Sequence, residues 1–193
     1  MQGNDNFIFA GNTAEALDEI ETFLTGVRPT RVLDRVLATV MFTDIVGSTE
    51  HAERLGDRRW KEALNDYEEV VHRELERYRG LYIKSTGDGT LATFDGPARA
   101  IEATRATREA VKVLGIEIRA GLHTGEIEVR GDDVAGLAVH IGARVSGHAL
   151  RGEVLVSRTV TDLVAGSGIN FEDRGDHHLK GVPGVWRLFA ALD

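Results

Sequence analysis

Two aspartates sit where they can do chemistry: Asp44 in Met41-Phe-Thr-Asp-Ile-Val-Gly-Ser48, and Asp88 in Lys84-Ser-Thr-Gly-Asp-Gly89. Each follows an apolar, β-type run and touches glycine, with Gly87 and Gly89 flanking Asp88 and Gly47 close behind Asp44. Paired carboxylates at strand ends suit a divalent cation that holds a polyphosphate. Hard ions such as Mg²⁺ take oxygen ligands from one or two carboxylates and leave the remaining positions to phosphate and water. Glycine lets the backbone approach the same phosphates. After Asp44, the segment Ile45-Val46-Gly47-Ser48 turns from strand to helix, so successive N–H groups can cradle a phosphate. Each aspartate alone has a plainer reading, Asp44 as a helix N-cap and Asp88 as the turn residue of an Asp-Gly hairpin. The pair says more than either member, because two neighbouring strands would bring both to one place.

The cationic candidates lie further along. Lys84 stands four residues before Asp88, and even spacing on a strand puts both side chains on one face. In the segment from Gly136 to Ala149, His140 and Arg144 share one helical face, opposite Ala138, Ile141, Val145 and Ala149. Both are therefore expected to point away from the local core, and the planar fork of arginine matches phosphate oxygens. Lys180 lies in the glycine-rich loop Leu179-Lys-Gly-Val-Pro-Gly184, which can carry an ammonium to a polyphosphate. For each cation the plainer alternative is a solvated or ion-paired surface residue. His123, between two expected strands, reads as a structural hydrogen-bonding residue, and His177 and His178 as surface residues of a turn. There is no G-x-S-x-G elbow, no Walker A loop and no G-x-G-x-x-G fingerprint.

The elements that must position these groups follow from periodicity. Val36 to Thr43 is almost continuously apolar and β-branched, as in a central strand covered on both faces. Trp60, Leu64, Tyr67, Val71, Leu75 and Tyr78 mark a long amphipathic helix. Leu81–Ser85 and Thr90–Phe94 flank the Gly-Asp-Gly turn as a hairpin. Pro97 opens a helix running to Leu114. Ile116–Leu122 and Glu126–Val129 read as two strands joined through His123-Thr-Gly125, followed by a polar stretch from Arg130 to Asp133 and the His140 helix. Strands at Val154–Val156, Ile169–Asp173 and Trp186–Ala190, with a helix between the first two, complete an α/β sandwich on a mixed sheet. Upstream, Thr13 to Leu24 reads as a short helix ended by Gly26 and Pro29, so residues 1–34 form a lead or linker and 35–193 one domain of catalytic size.

Composition bounds the partners. With no cysteine, the chain has no disulfide, thiolate metal site or cysteine nucleophile. A formal charge of −8 argues against nucleic acid as the main partner. No apolar run approaches the ~18 residues of a membrane span, and the N-terminus lacks a signal-peptide layout. No membrane partner and a cytoplasmic location are the expectation.

From about Arg35 to Ala191 the chain resembles the catalytic domain of class III adenylyl cyclases. The resemblance rests on Phe42-Thr-Asp-Ile-Val-Gly-Ser48, Ile83-Lys-Ser-Thr-Gly-Asp88, Gly121-Leu-His-Thr-Gly125, Asp133-Val-Ala-Gly136, His140-Ile-Gly-Ala-Arg144 and Leu179-Lys-Gly181, whose order and spacing agree over most of the chain. It implies the ferredoxin-like, palm-type core of nucleotidyl cyclases, with a mixed, mainly antiparallel central sheet flanked by helices. It further implies that Asp44 and Asp88, with the Ile45 carbonyl, hold two Mg²⁺ or Mn²⁺ ions per active site; that Lys84 and Asp133 read adenine; that Arg144 stabilises the transition state; and that Lys180 contacts the triphosphate. His140 stands where many relatives carry asparagine, as in a bacterial subclass with a short segment before this helix, and is implied as a ribose or transition-state contact.

The reaction so implied converts ATP to 3′,5′-cyclic AMP and pyrophosphate, with one ion activating the ribose 3′-hydroxyl and the other holding the triphosphate. In this family one protomer supplies the aspartates and its partner supplies Lys84, Asp133, His140, Arg144 and Lys180. A head-to-tail homodimer with two shared sites is therefore expected. The N-terminal helix resembles the end of an α/β-hydrolase-like domain that precedes such catalytic domains in some relatives, which implies an upstream regulatory domain. The competing expectations are a nucleotide-binding regulatory module without turnover and a guanylate cyclase; Lys84 and Asp133 argue against the latter.

Overall fold

The computed structural model describes residues 19–20, 22–26 and 35–193. Two units are distinguished, Met1–Leu33 and Asp34–Asp193. In the first, the described residues are helical through Thr25, and Gly26, at φ 68°, donates its N–H to the Thr22 carbonyl at 2.9 Å. The rest of the expected Thr13–Leu24 helix lies outside the described residues.

The second unit is built on β1 (Arg35–Ile45), whose apolar, β-branched run is buried from Ala38 to Met41. It pairs antiparallel with β3 (Gly89–Phe94) on one side and with β4 (Ile118–Arg130) on the other. The sheet continues through β2 (Leu81–Ser85), β6 (Val154–Ser157), β7 (Phe171–His177) and β8 (Trp186–Ala191) in the order β2-β3-β1-β4-β6-β8-β7. A short β5 (Asp133–Ala135) folds back on the end of β4. Only the β4–β6 pairing is parallel among the described strands. The mixed, mostly antiparallel sheet flanked by helices is the expected architecture.

Alternation along β1 sorts the two faces. Met41 and Ile45 join the core formed with α2 (Asp57–Arg77) and α3 (Pro97–Val111), where Tyr67, Val71, Leu75, Ile101 and Val111 are buried. Ala38 and Val40 face the other way, towards α4 (Leu137–His148). Two glycines let α4 press onto the sheet. A Cβ on Gly121 would lie 2.0 Å from the Ser146 nitrogen, and one on Gly142 would lie 2.5 Å from Val40 Cγ2. A short α1 (Ser48–Leu55) precedes α2, separated from it by Gly56 at φ 75°, and α5 (Arg158–Leu163) follows β6.

Three local expectations are corrected. β4 is one strand rather than two joined through His123-Thr-Gly125, because β1 pairs with it continuously from Arg35–Glu128 to Ile45–Ile118 and leaves no room for a turn. His177 is the last residue of β7, paired with Trp186, and it packs edge-on against His148 at 5.0 Å instead of standing in an exposed turn. Strand parity does not relate Lys84 to Asp88: β2 ends at Ser85 and carries a bulge between Tyr82 and Lys84.

Candidate active site

The end of β1 and the β2–β3 turn bring the two aspartates together. Asp44 is the register partner of Gly89, so Asp88 lies one residue beyond that pair, and the Ile45 N–H donates to the Asp88 carbonyl at 3.0 Å. A Cβ on Gly89 would meet the Thr43 carbonyl oxygen at 2.0 Å, so only glycine permits this close crossing. The Ser48 hydroxyl donates to Asp88 Oδ2 and ties the start of α1 to the same turn. Among the described residues, no cluster of three or more His, Asp or Glu side chains could hold a metal ion. The local donor set is thus two carboxylates and backbone carbonyls. Such oxygen donors fit a hard divalent cation that completes its shell with phosphate and water.

Arg119 also belongs here, and nothing in the motif reading singled it out. It is the register partner of Asp44 on β4, and its Nε and Nη2 reach Asp44 Oδ2 at 2.7 and 2.5 Å. The signal available in the sequence was an arginine in the expected strand Ile116 to Leu122, where Glu117 is the other charged residue. The expected phosphate cradle is narrower than the segment 45–48. The N–H groups of Ile45 and Val46 are already taken by the carbonyls of Asp88 and Glu117, which leaves Gly47 and Ser48 at the start of α1. Gly47 is left-handed at φ 69°, a conformation that favours glycine.

A second group forms between β2 and the β4–β5 hairpin. Lys84 Nζ donates to Asp133 Oδ1 and Oδ2 at 2.8 and 2.6 Å, while the Val134 N–H donates to Asp133 Oδ1 at 2.8 Å. The bonds from Lys84 and Val134 hold the Asp133 carboxyl below the usual range. Both side chains remain about half exposed, 49% and 53%, and so accessible to a ligand edge. Next to this pair lies an open groove of about 620 Å³ with Ile83, Phe94, Ile127 and Val134 among its walls.

A third group sits on α4. His140 and Arg144 are exposed, on the side opposite buried Ala138, Ile141 and Val145. Arg144 Nε donates to the Lys180 carbonyl at 3.0 Å, which brings the Lys180 loop against the arginine. His123 is buried: its Nδ1 lies 2.7 Å from Ser157 Oγ, its ring meets Trp186 edge-on, and burial pushes its pKa down to about 4. Among the described residues, no hydrogen bond or ion pair joins Asp44 or Asp88 to Lys84, Asp133, His140, Arg144 or Lys180.

The chain as a whole is similar to known proteins. Residues 33–190 match the family described as the adenylate and guanylate cyclase catalytic domain. A relative from Rhizobium meliloti (strain 1021) that bears an adenylate cyclase name is 30% identical over 164 residues, 77% of this chain and 27% of the relative. A pH-sensitive adenylate cyclase of Mycobacterium tuberculosis is 29% identical over 162 residues, 78% of this chain and 39% of that protein. The chain thus spans well under half the length of these curated relatives. The solved adenylyl cyclase CyaB from P. aeruginosa superposes with a TM-score of 0.77 at 26% identity, covering 83% of this chain and 95% of that one. With the match covering most of its length, the chain belongs to the adenylate and guanylate cyclase catalytic domain family.

Proposed function

We propose that the chain is an adenylate cyclase, converting ATP to 3′,5′-cyclic AMP and pyrophosphate at sites shared by two copies in a head-to-tail homodimer. The observation that carries the choice of base is the Lys84–Asp133 pair, an ammonium and a carboxylate presented side by side from β2 and β5. The Watson–Crick edge of adenine offers a ring-nitrogen acceptor to the ammonium and an exocyclic amino donor to the carboxylate. Guanine inverts both demands, so this pair favours ATP over GTP.

The separation of the site residues into unconnected groups supports a shared site. Asp44 and Asp88 form one half; Lys84, Asp133, His140, Arg144 and Lys180, contributed by the other copy, form the second. Asp44, Asp88 and the Ile45 carbonyl would hold Mg²⁺ or Mn²⁺, which supplies Lewis-acid stabilisation of the nucleophile and of the triphosphate charge. The ribose 3′-oxygen forms a bond to the α-phosphorus as the bond to the β-phosphate bridging oxygen breaks. The hydroxyl proton passes to solvent, and pyrophosphate leaves. Arg144, with Nε pinned to the Lys180 carbonyl, presents its remaining N–H groups to charge on the phosphoryl oxygens, an effect often worth ~10³-fold in phosphoryl transfer. Lys180 contacts the triphosphate, and His140, one turn before Arg144, contacts the ribose or the transition state.

The test is incubation of the purified protein with ATP or GTP and Mn²⁺ or Mg²⁺, with products resolved by mass spectrometry. Cyclic AMP with ATP, little cyclic GMP with GTP, and loss of product in Asp44→Ala are expected. ATP binding without pyrophosphate release by a folded dimer would instead establish a regulatory nucleotide-binding module, and preferential cyclic GMP formation would establish a guanylate cyclase.

A further inference from the structure

Tyr67 lies on the buried face of α2 and is 1% exposed, yet its hydroxyl is not spent on the helix. The oxygen lies 2.7 Å from Thr43 Oγ and 3.5 Å from Thr90 Oγ. Thr43 Oγ in turn accepts the Thr90 N–H at 3.1 Å. Thr43 and Thr90 are register partners on β1 and β3, the last pair before Asp44 and Gly89. One phenol therefore grips both strands next to the two aspartates, from the opposite face of the sheet. Burial pushes the Tyr67 hydroxyl up; hydrogen bonds to Thr43 and Thr90 oppose that rise, and the charges of Asp44 and Asp88 add to it. Tyr67 is thus a neutral strut, and its ring packs in the main core where phenylalanine would fill the same volume.

We propose that Tyr67 is a positioning residue for the Asp44–Asp88 pair, its hydroxyl fixing how the ends of β1 and β3 meet and hence how the two carboxylates jointly take a divalent cation. This deepens the proposed function and rests on its reading of the two aspartates as metal ligands. The physical basis is preorganisation, since a metal or catalytic site needs its ligands held within about 0.5 Å by supporting hydrogen bonds. Without the phenol, the Thr43 and Thr90 hydroxyls lose their shared partner in a dry part of the sheet, and the strand ends gain freedom.

The experiment is a Mn²⁺ titration of the full chain without nucleotide, with free Mn²⁺ read by electron paramagnetic resonance and melting temperature recorded alongside. It compares the wild type with Tyr67→Phe, Thr43→Val, Thr43→Ser and Asp44→Ala. Tyr67→Phe and Thr43→Val are expected to weaken Mn²⁺ binding about three- to tenfold, somewhat below the effect of a direct partner of a metal ligand. Thr43→Ser, which keeps the hydroxyl, stays near wild type, and Asp44→Ala abolishes binding. A merely structural role would lower the melting temperature of Tyr67→Phe and leave its Mn²⁺ midpoint unchanged; that result overturns the inference while leaving the metal reading intact. Equal binding by wild type and Asp44→Ala, or none by wild type, overturns the metal reading itself. Should Tyr67→Phe not fold, the Thr43→Val and Thr43→Ser pair decides, and equal midpoints for those two overturn the inference.

Discussion

Arg119 closes on Asp44 from the neighbouring strand, with its guanidinium nitrogens 2.5 and 2.7 Å from one carboxylate oxygen. The first aspartate of the candidate site therefore carries a cation from its own chain, and a divalent ion must compete with it. An ion held by Asp44 would free the Arg119 guanidinium, whose planar set of donors suits phosphate oxygens.

Arg119→Met is expected to tighten Mn²⁺ binding without nucleotide by about two- to fivefold, because ion pairs still screened by solvent, as this part-buried one is, are worth ~0.2–1 kcal/mol. The same variant should lower kcat with ATP, since the released cation is missing from the phosphates. Metal titration followed by steady-state kinetics checks both, and a weaker metal midpoint in Arg119→Met would contradict the competition.

Arg119 also shows what the sequence left unread. The motif segments, the hairpin and the helical stripes were legible because local spacing carries them: Asp44 and Asp88 end apolar runs, and Arg144 follows His140 by one helical turn. The importance of Arg119 comes from register alone, and register between β1 and β4 is set by eleven cross-strand pairs that no local window contains. The same long pairing makes β4 continuous through His123-Thr-Gly125, which locally resembles a turn. Tyr67 was legible only as one member of the α2 apolar stripe; its hydroxyl acquires meaning from Thr43 and Thr90, 24 and 23 residues away. Lys84 and Asp133, 49 residues apart, came from motif resemblance, and their direct contact is a product of the fold.

Base selection should follow that contact. Lys84→Met removes the proposed donor to the adenine ring nitrogen and leaves Asp133 without its Lys84 partner. The ratio of kcat/KM for ATP over GTP should fall by about 10- to 100-fold, the range expected when a hydrogen bond from a charged group, worth roughly 1.5–3 kcal/mol, is lost. Competition assays with both nucleotides measure it, and an unchanged ratio would remove Lys84 from base recognition.

His123 sets an acid limit on stability. It stays neutral in the folded protein down to about pH 4, whereas in the unfolded chain it ionises near the ordinary value of 6.5. The unfolded state therefore binds the extra proton between these values. Stability is full above about pH 6.5 and declines as pH falls towards 4, by an amount approaching about 3 kcal/mol from this residue. Thermal melts across that window should show the decline flattened in His123→Gln, which cannot take up the proton; parallel curves for the two proteins would contradict the assignment.

The proposed shared site is tested most directly by mixing two variants expected to be inactive, Asp44→Ala and Arg144→Ala. Each homodimer lacks one half of both sites. In a mixed dimer, the protomer that retains Asp44 faces the protomer that retains Arg144 at one of the two sites. Random exchange makes half of the dimers mixed, so cyclic AMP production should recover to about one quarter of wild type at equal total protein. Recovery near that value supports a site built from two chains. No recovery from folded, exchanging dimers would contradict it.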